Sequence, residues 1–101
     1  MKDEVQRLQE RQLNGSILWL LHDFYGSGTN VTMKSICKVT RRNETDPVLQ
    51  AALTFLIECG YAAKVSYPLD QRDENPAVDY RLTATGRRVI NGDLKDDSID
   101  L

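Results

Sequence analysis

Few side chains in this sequence stand where a catalytic centre would need them. The single histidine, His22, falls within a helical pattern and has no serine, cysteine or carboxylate partner at a recognisable spacing. Nucleophilic and acid–base catalysis both depend on such a partner. The segment GSGT at residues 26–29 lacks the preceding strand and the following lysine of a phosphate-binding loop. We therefore expect no enzymatic activity, no catalytic residue and no cofactor.

The two cysteines, Cys37 and Cys59, stand singly among apolar residues. Neither belongs to a pair or a Cys/His cluster with the spacing of a zinc site, so we predict no metal site. We expect both thiols to be reduced and buried, as in a cytoplasmic protein. The N-terminal segment is charged and lacks an apolar signal region, and no run approaches the roughly 20 apolar residues that span a membrane. The sequence therefore predicts a cytoplasmic protein with no membrane partner.

The charge is unevenly distributed along the chain. The chain has 101 residues, which is the length of a single small domain, and its formal net charge is −2. This charge is not the strongly basic balance that indicates a nucleic-acid binder. Residues 93–101, DLKDDSIDL, contain four of the 15 acidic and one of the 13 basic side chains, so residues 1–92 are near +1. We expect residues 93–101 to form a flexible acidic tail, because they are short, charged and poor in apolar side chains.

A long helical pattern runs through residues 3–25. A glycine inside a helix costs about 1 kcal/mol relative to alanine, so the Asn14-Gly15-Ser16 step has two interpretations: the helix runs through it, or Ser16 caps a second helix. We favour continuity because the apolar face keeps its phase there. The aromatic residues Trp19, Phe24 and Phe55 also fall at the spacing of core residues. The apolar positions that recur on one face of the first helix are Leu13, Ile17, Leu20, Leu21 and Phe24.

Two further helices follow the first. Thr32 is expected to cap a short helix in the segment MKSICKVTRR. The next helix, residues 46–59, begins at a cap formed by Thr45 or Asp46 and ends before Gly60. It is apolar on most of its circumference. The narrow polar strip that it exposes consists of Gln50, Thr54 and Glu58.

After Gly60 the period of the pattern changes to two. YAAKVSY and AVDYRLT read as paired strands around the polar loop PLDQRDENP, and Thr83 then caps the short helix ATGRRVI. The order of elements predicts an α+β fold of the winged helix-turn-helix type over residues 1–92. It has a three-helix core, a two-stranded β-hairpin wing at residues 61–83 and a short C-terminal helix.

The run ALTFLIECGYAAKV, followed by a polar loop and YRLTATGRRVI, resembles the end of small winged-helix regulators of the ArsR, MarR and PadR kind. Those proteins typically read leucine-rich helix, Gly, strand, wing, L-T-x-x-G-R, and the resemblance covers roughly residues 13–92. The segment LTATGRRVINGDL is also similar to short winged-helix proteins of Mu-like phages and prophages. The metal-binding cysteine pair of metal-sensing ArsR relatives is absent, as is the long C-terminal dimerisation helix of MarR and PadR proteins. The matching residues are Leu53, Leu56, Gly60, Tyr61, Leu82, Thr83, Gly86 and Arg87.

The resemblance implies a transcription regulator that binds double-stranded DNA, with helix 46–59 in the major groove. Its exposed Gln50 and Thr54, with Thr45 near the helix start, have the chemistry to contact base edges. Lysine, arginine and asparagine side chains can donate hydrogen bonds to the phosphate oxygens of DNA. The predicted backbone contacts come from Lys34, Lys38, Arg41, Arg42 and Asn43, with Arg72 at the wing tip.

Acidic side chains near this surface keep a second interpretation open. Helix 46–59 contains no lysine or arginine, and Glu44, Asp46 and Glu58 lie in or beside it. The wing loop holds three acidic residues against Arg72. Because phosphate attraction supplies most non-specific DNA affinity, the alternative is a winged helix that binds a protein partner, or a phage accessory or assembly module.

The N-terminal arm, KDEVQRLQERQL at residues 2–13, is a candidate dimer interface. Val5, Leu8 and Leu13 lie on one side of this extension of the first helix. Small winged-helix proteins that this sequence resembles commonly dimerise, and a dimer matches two half-sites on DNA. The opposing interpretation is a frayed, solvated helix end, since glutamine and charged residues dominate the arm.

Overall fold

A computed structural model describes residues 3–66 and 78–101. Within these residues the chain forms four helices and three strands. In chain order they are α1 (Glu4–Asp23), β1 (Val31–Thr32), α2 (Met33–Thr40), α3 (Pro47–Glu58), β2 (Ala62–Ser66), β3 (Val78–Leu82) and α4 (Ala84–Ile90).

A short polar side chain caps the start of each helix, and for α2, α3 and α4 the sequence pattern predicted the cap. Thr32 accepts a hydrogen bond from the Ser35 backbone N–H at 3.1 Å, and Thr83 accepts one from Gly86 at 3.0 Å. For α3 the cap is Asp46, whose carboxylate accepts from the Val48 N–H at 2.8 Å. Each cap satisfies a backbone donor that the helix leaves unpaired, which is why these helices begin where they do.

The sheet has one strand more than we predicted. Its order is β1-β3-β2 with both pairings antiparallel, and the register joins Ala62 to Leu82 and Val31 to Tyr80. We predicted the β2–β3 pair but no strand before α2. A two-residue strand has no periodicity of its own, and its pairing depends on meeting β3 from a distant part of the chain.

The core is organised around α1, which packs against α2, α3, α4 and β3. We expected Trp19 and Phe24 at core positions, and both predictions are wrong. Trp19 is 44% exposed, and Phe24 is also exposed. Leu18 takes the buried place instead. Cys59 is exposed and Cys37 only partly buried, so the prediction of two buried thiols is also wrong. The largest fully buried side chains are Ile17, Leu18, Leu21, Ile36, Leu49 and Leu56.

The segment after α4 contradicts our prediction of a flexible acidic tail at residues 93–101. Ile99 is only 7% exposed and belongs to the core. The Tyr61 hydroxyl donates to the Asp96 carboxylate at 2.6 Å. The acidic composition did not indicate this docking, because one isoleucine is enough to anchor the segment when the core of the domain buries it. The folded unit therefore continues beyond residue 92.

This docking explains the Asn14-Gly15-Ser16 step, through which α1 runs without interruption as we predicted. The buried Asn14 amide donates to the Ser98 carbonyl at 2.9 Å, and the Asp100 N–H donates to the Arg11 carbonyl at 3.0 Å. A Cβ atom on Gly15 would overlap the Asp100 carbonyl oxygen. Asn14 and Gly15, which would weaken an isolated helix, thus allow the C-terminal segment to pack its backbone against α1.

We predict that Gly15→Ala destabilises the domain by about 1–3 kcal/mol, because the new methyl group is forced into the Asp100 carbonyl. Urea unfolding measures the change. The control is the same substitution in a chain that ends at Ile99, where the obstructing carbonyl is gone. There alanine should be neutral or stabilise by up to about 1 kcal/mol, as in an ordinary helix. Equal destabilisation in both chains would contradict the docked position of Asp100.

We also predict a tyrosine that titrates abnormally late. The hydrogen bond to Asp96, together with burial, raises the pKa of Tyr61 to about 12. The folded state thus favours the neutral phenol, so this contribution to stability is complete below the ordinary tyrosine pKa of about 10 and is lost as pH rises towards 12. Tyr61→Phe should cost about 1.5–3 kcal/mol at neutral pH, as for a hydrogen bond to a charged group.

Tyrosinate absorbance during an alkaline titration measures the pKa, and Tyr61→Phe should remove the latest transition. Tyr25→Phe is the matched control because Tyr25 is exposed. The assignment would fail if the latest transition persisted in the Tyr61→Phe protein.

Candidate nucleic-acid interface

A cluster of positive side chains lies on α2 and the turn that follows it. Residues 33–43 contain Lys34, Lys38, Arg41 and Arg42 and no acidic residue. Lys34 and Lys38 are exposed and lie one helical turn apart on the same face of α2. Four of the predicted phosphate-binding side chains thus lie along one helix and its C-terminal end.

The backbone of Arg41 is unusual. Its φ of 57° and ψ of 39° are left-handed, and its N–H donates to the Cys37 carbonyl to end α2. Glycine or asparagine is preferred at such a helix end, because a Cβ atom is strained in this region. The chain therefore retains a long cationic side chain, exposed to solvent, at a position where glycine would suit the backbone better. This conflict between local preference and residue type is typical of functional positions.

We predicted that Arg42 contacts a phosphate, but in the structure this side chain already has a partner. Its guanidinium lies 3.0 Å from the Asp46 carboxylate, with which it forms an ion pair across the turn. The pKa of Asp46 is lowered, chiefly by the hydrogen bond from the Val48 N–H and further by Arg42. Asp46 therefore starts α3 and also offsets part of the positive charge of the α2 cluster.

The outward side of α3 presents the side chains that we assigned to base contacts. Gln50 and Thr54 are both exposed, but the Gln50 amide donates to the Glu44 carbonyl at 2.5 Å, so this side chain folds back over the turn. Thr45 and Asn43 are exposed in that turn. Val48 and Ala51 are also exposed, which makes the outward face wider and more apolar than the narrow polar strip we predicted.

The exposed side of α3 borders a groove that sequence reasoning missed. The groove has a volume of about 490 Å³, with an apolar floor that includes Ala51 and Phe55 and a rim that includes Arg7 and Arg11 of α1. It is lined by α1, α3 and the C-terminal segment, so its lining comes from residues distant in sequence. A helical pattern alone could not reveal it.

The predicted dimer residues do not share one environment. Val5 and Leu8 are 64% and 45% exposed, whereas Leu13 is only 8% exposed and belongs to the core of the monomer. The prediction for Leu13 is therefore wrong: it already packs inside its own chain, because α1 turns from an overhanging arm into a core helix at this residue.

Three further expectations concern the wing, metals and membranes. Arg72 lies outside the described residues, as do the acidic residues of the wing loop. Across residues 3–66 and 78–101, histidine, cysteine and acidic side chains form no group that could hold a metal ion. In the same part of the chain, no helix combines the length and the apolar character that crossing a bilayer requires.

The fold is similar to that of an X-ray structure described as a "PadR-like Transcription factor from bacteroid fragilis". The two chains align with a TM-score of 0.68 and 21% sequence identity, over 89% of this chain and 84% of that one. No protein-family model matches this sequence, and no curated protein matches it. At this identity the likeness establishes the fold alone, and it confirms the winged helix-turn-helix plan predicted from the order of elements and the resemblance to PadR-like proteins.

Proposed function

We propose that this protein is a DNA-binding transcription regulator that inserts α3 into the major groove. The observation that carries the proposal is the position of four cations on α2 and its C-terminal turn, directly before a helix whose outward face is polar and uncharged at Gln50 and Thr54. In helix-turn-helix proteins the first helix crosses the phosphate backbone while the second reads base edges. The fold of a protein described as a transcription factor supports the same assignment.

Each proposed contact follows from the chemistry of the side chain. Lys34, Lys38 and Arg41 bind phosphates and position the domain, with Arg42 and Asn43 beside them. Gln50 pairs with an adenine once its amide leaves the Glu44 carbonyl, and Thr54 contacts a thymine methyl group. Thr45 lies at the start of α3, where a hydroxyl can reach the backbone or a base. Arg72 of the wing supplies a further phosphate or minor-groove contact.

The charge balance implies a binder of modest, salt-sensitive affinity. About four phosphate contacts per domain, from Lys34, Lys38, Arg41 and Arg72, would give a slope of log K against log salt near −4. Two copies would double the number of contacts and match two half-sites, and we infer a homodimer in which Val5 and Leu8 are covered. We place this activity in the cytoplasm. A role in a prophage, suggested by the likeness to Mu-like phage proteins, is compatible with it.

A protein-binding or phage accessory module is the second candidate function. It is favoured by the absence of lysine and arginine from α3 and by the exposure of Val48 and Ala51 beside the groove. Such a surface would accept an apolar side chain from a partner. The two functions separate experimentally, because only the first gives a salt-sensitive complex with duplex DNA.

We predict that Asp46→Asn strengthens DNA binding several-fold. Asparagine caps a helix as well as aspartate does, so α3 keeps its start, while the loss of the carboxylate releases Arg42 and removes a negative charge from the interface. Fluorescence anisotropy with a labelled mixed-sequence duplex at about 50 mM salt measures the affinity. The salt slope should steepen by about 1 as Arg42 gains a phosphate.

Glu58→Gln is the matched control, because it removes the same charge at the far end of α3. An equal gain in both variants would mean that net charge, and not Arg42, is responsible.

We predict that Arg41→Gly has opposite effects on stability and on DNA binding. Glycine relieves the left-handed strain and should raise the free energy of unfolding by up to about 1 kcal/mol. The loss of a phosphate contact should weaken DNA binding about fivefold and flatten the salt slope by about 0.9. A weaker complex made by a more stable protein cannot be attributed to misfolding.

Arg88→Gln, an exposed position on α4 and so outside the α2–α3 surface, should leave DNA binding nearly unchanged. Charge reversal at both Arg41 and Arg42 should abolish the complex. The proposal would be refuted if the unaltered protein bound no duplex at about 50 mM salt, where phosphate contacts are strongest.

A further inference from the structure

The outer side of α1 carries a second, unassigned stripe of side chains. Val5, Leu8, Gln12 and Trp19 are all exposed and follow the alternating three- and four-residue spacing of a helix-packing seam. We call these four residues the outer stripe. It lies away from the α1 face that forms the core, and it exposes three large apolar side chains on one helix.

Gly15 occupies the position at which this spacing calls for another stripe residue. The C-terminal segment covers that point: the Asp100 carbonyl lies over Gly15, and the Leu101 nitrogen is 3.5 Å from the position a Cβ atom would take. Leu101 is itself 50% exposed. The docked segment thus brings an exposed leucine to the level of the helix where the stripe lacks a side chain.

We propose that the outer stripe, completed by Leu101, packs antiparallel against the outer stripe of a second copy of this chain. The proposal names the surface and geometry of the homodimer inferred above, and its test does not involve DNA. A two-fold axis makes such an interface self-complementary, since each residue meets its counterpart's contact in return.

Side-chain size favours the antiparallel direction. Gln12 lies seven residues from both Val5 and Trp19, at the middle of the stripe. Antiparallel pairing about Gln12 places the bulky Trp19 of one copy against the small Val5 of the other, at both ends. Parallel pairing would stack two tryptophans at one end and two valines at the other, which fills space less evenly.

Charge favours the same direction. The start of α1 carries two acids, the N-cap Asp3 and Glu4 in the first turn. Parallel pairing would place these acids against their own copies and align the two helix dipoles. Antiparallel pairing moves them towards the far end of the other α1, where the Arg87 guanidinium lies 5.1 Å from the centre of the Tyr25 ring. Asp23, also at that end, offsets part of this attraction.

Gln12 would then face its own copy across the two-fold axis. Two amides can donate to and accept from each other there, so a polar residue at the centre fixes the register of an otherwise apolar seam. The antiparallel arrangement makes a prediction that no other one shares: Gln12 meets Gln12, whereas Val5 and Trp19 each meet the other residue type.

Disulfide cross-linking tests this geometry in the full-length chain. In a Cys37→Ala, Cys59→Ala background, Gln12→Cys should form a linked dimer on mild oxidation. Val5→Cys alone and Trp19→Cys alone should stay unlinked, and their mixture should link. Arg7→Cys is the control on the groove side of α1 and should stay unlinked. Linking of Val5→Cys alone, or no linking of Gln12→Cys, would overturn the proposal.

Sedimentation and tryptophan fluorescence provide an independent test without cysteines. Trp19 is the single tryptophan, so its emission should shift to the red on dilution as the dimer dissociates. Leu8→Glu and Leu101→Glu should each weaken the dimer at least tenfold. Val39→Glu, a similar change at an exposed residue of α2, should not.

A dimer that survives both stripe substitutions, or a protein monomeric at every concentration, would refute the assignment. Neither result bears on whether α3 binds DNA, because the stripe variants leave the cationic cluster unchanged.

Discussion

The burial of α1 is the constraint on which the rest of the structure depends. Its inward side chains Ile17, Leu18 and Leu21 are almost completely excluded from solvent and pack against every other helix and β3. A domain of this size has a small core, so the loss of one such contact removes a large share of its stability. With α1 held at the centre, α3 can bury Leu49 and Leu56 and still present its opposite face to solvent.

The proposed DNA surface is shaped by two local conflicts at the α2–α3 turn. Arg41 holds a backbone conformation that favours glycine, and Asp46 brings a negative charge to a surface otherwise rich in cations. Both arrangements have a physical explanation: the first ends α2 while presenting a cation, and the second caps α3. The same turn therefore ends α2, starts α3 and influences the strength of the proposed phosphate contacts.

The C-terminal segment has an equally double role. It buries Ile99 and accepts hydrogen bonds from Tyr61 and Asn14, which closes the core on one side of α1. It also lies across Gly15 and so changes the outer surface of the helix. In this way a segment of acidic composition contributes both to the fold and to the surface that we propose for self-association.

Local patterns in the sequence were sufficient for the helices and their caps at Thr32 and Thr83, because each depends on side chains within a few residues of one another. They were also sufficient for the pairing of β2 with β3, because these two strands follow one another in the chain. They also placed Gln50 and Thr54 on an exposed face, since a helix with so many apolar positions has one side left for solvent. Tertiary structure alone decided the pairing of β1, the burial of Ile99 and the exposure of Trp19. The first two features join residues far apart in the chain, and a periodic pattern shows which side of a helix is apolar but not what will cover it.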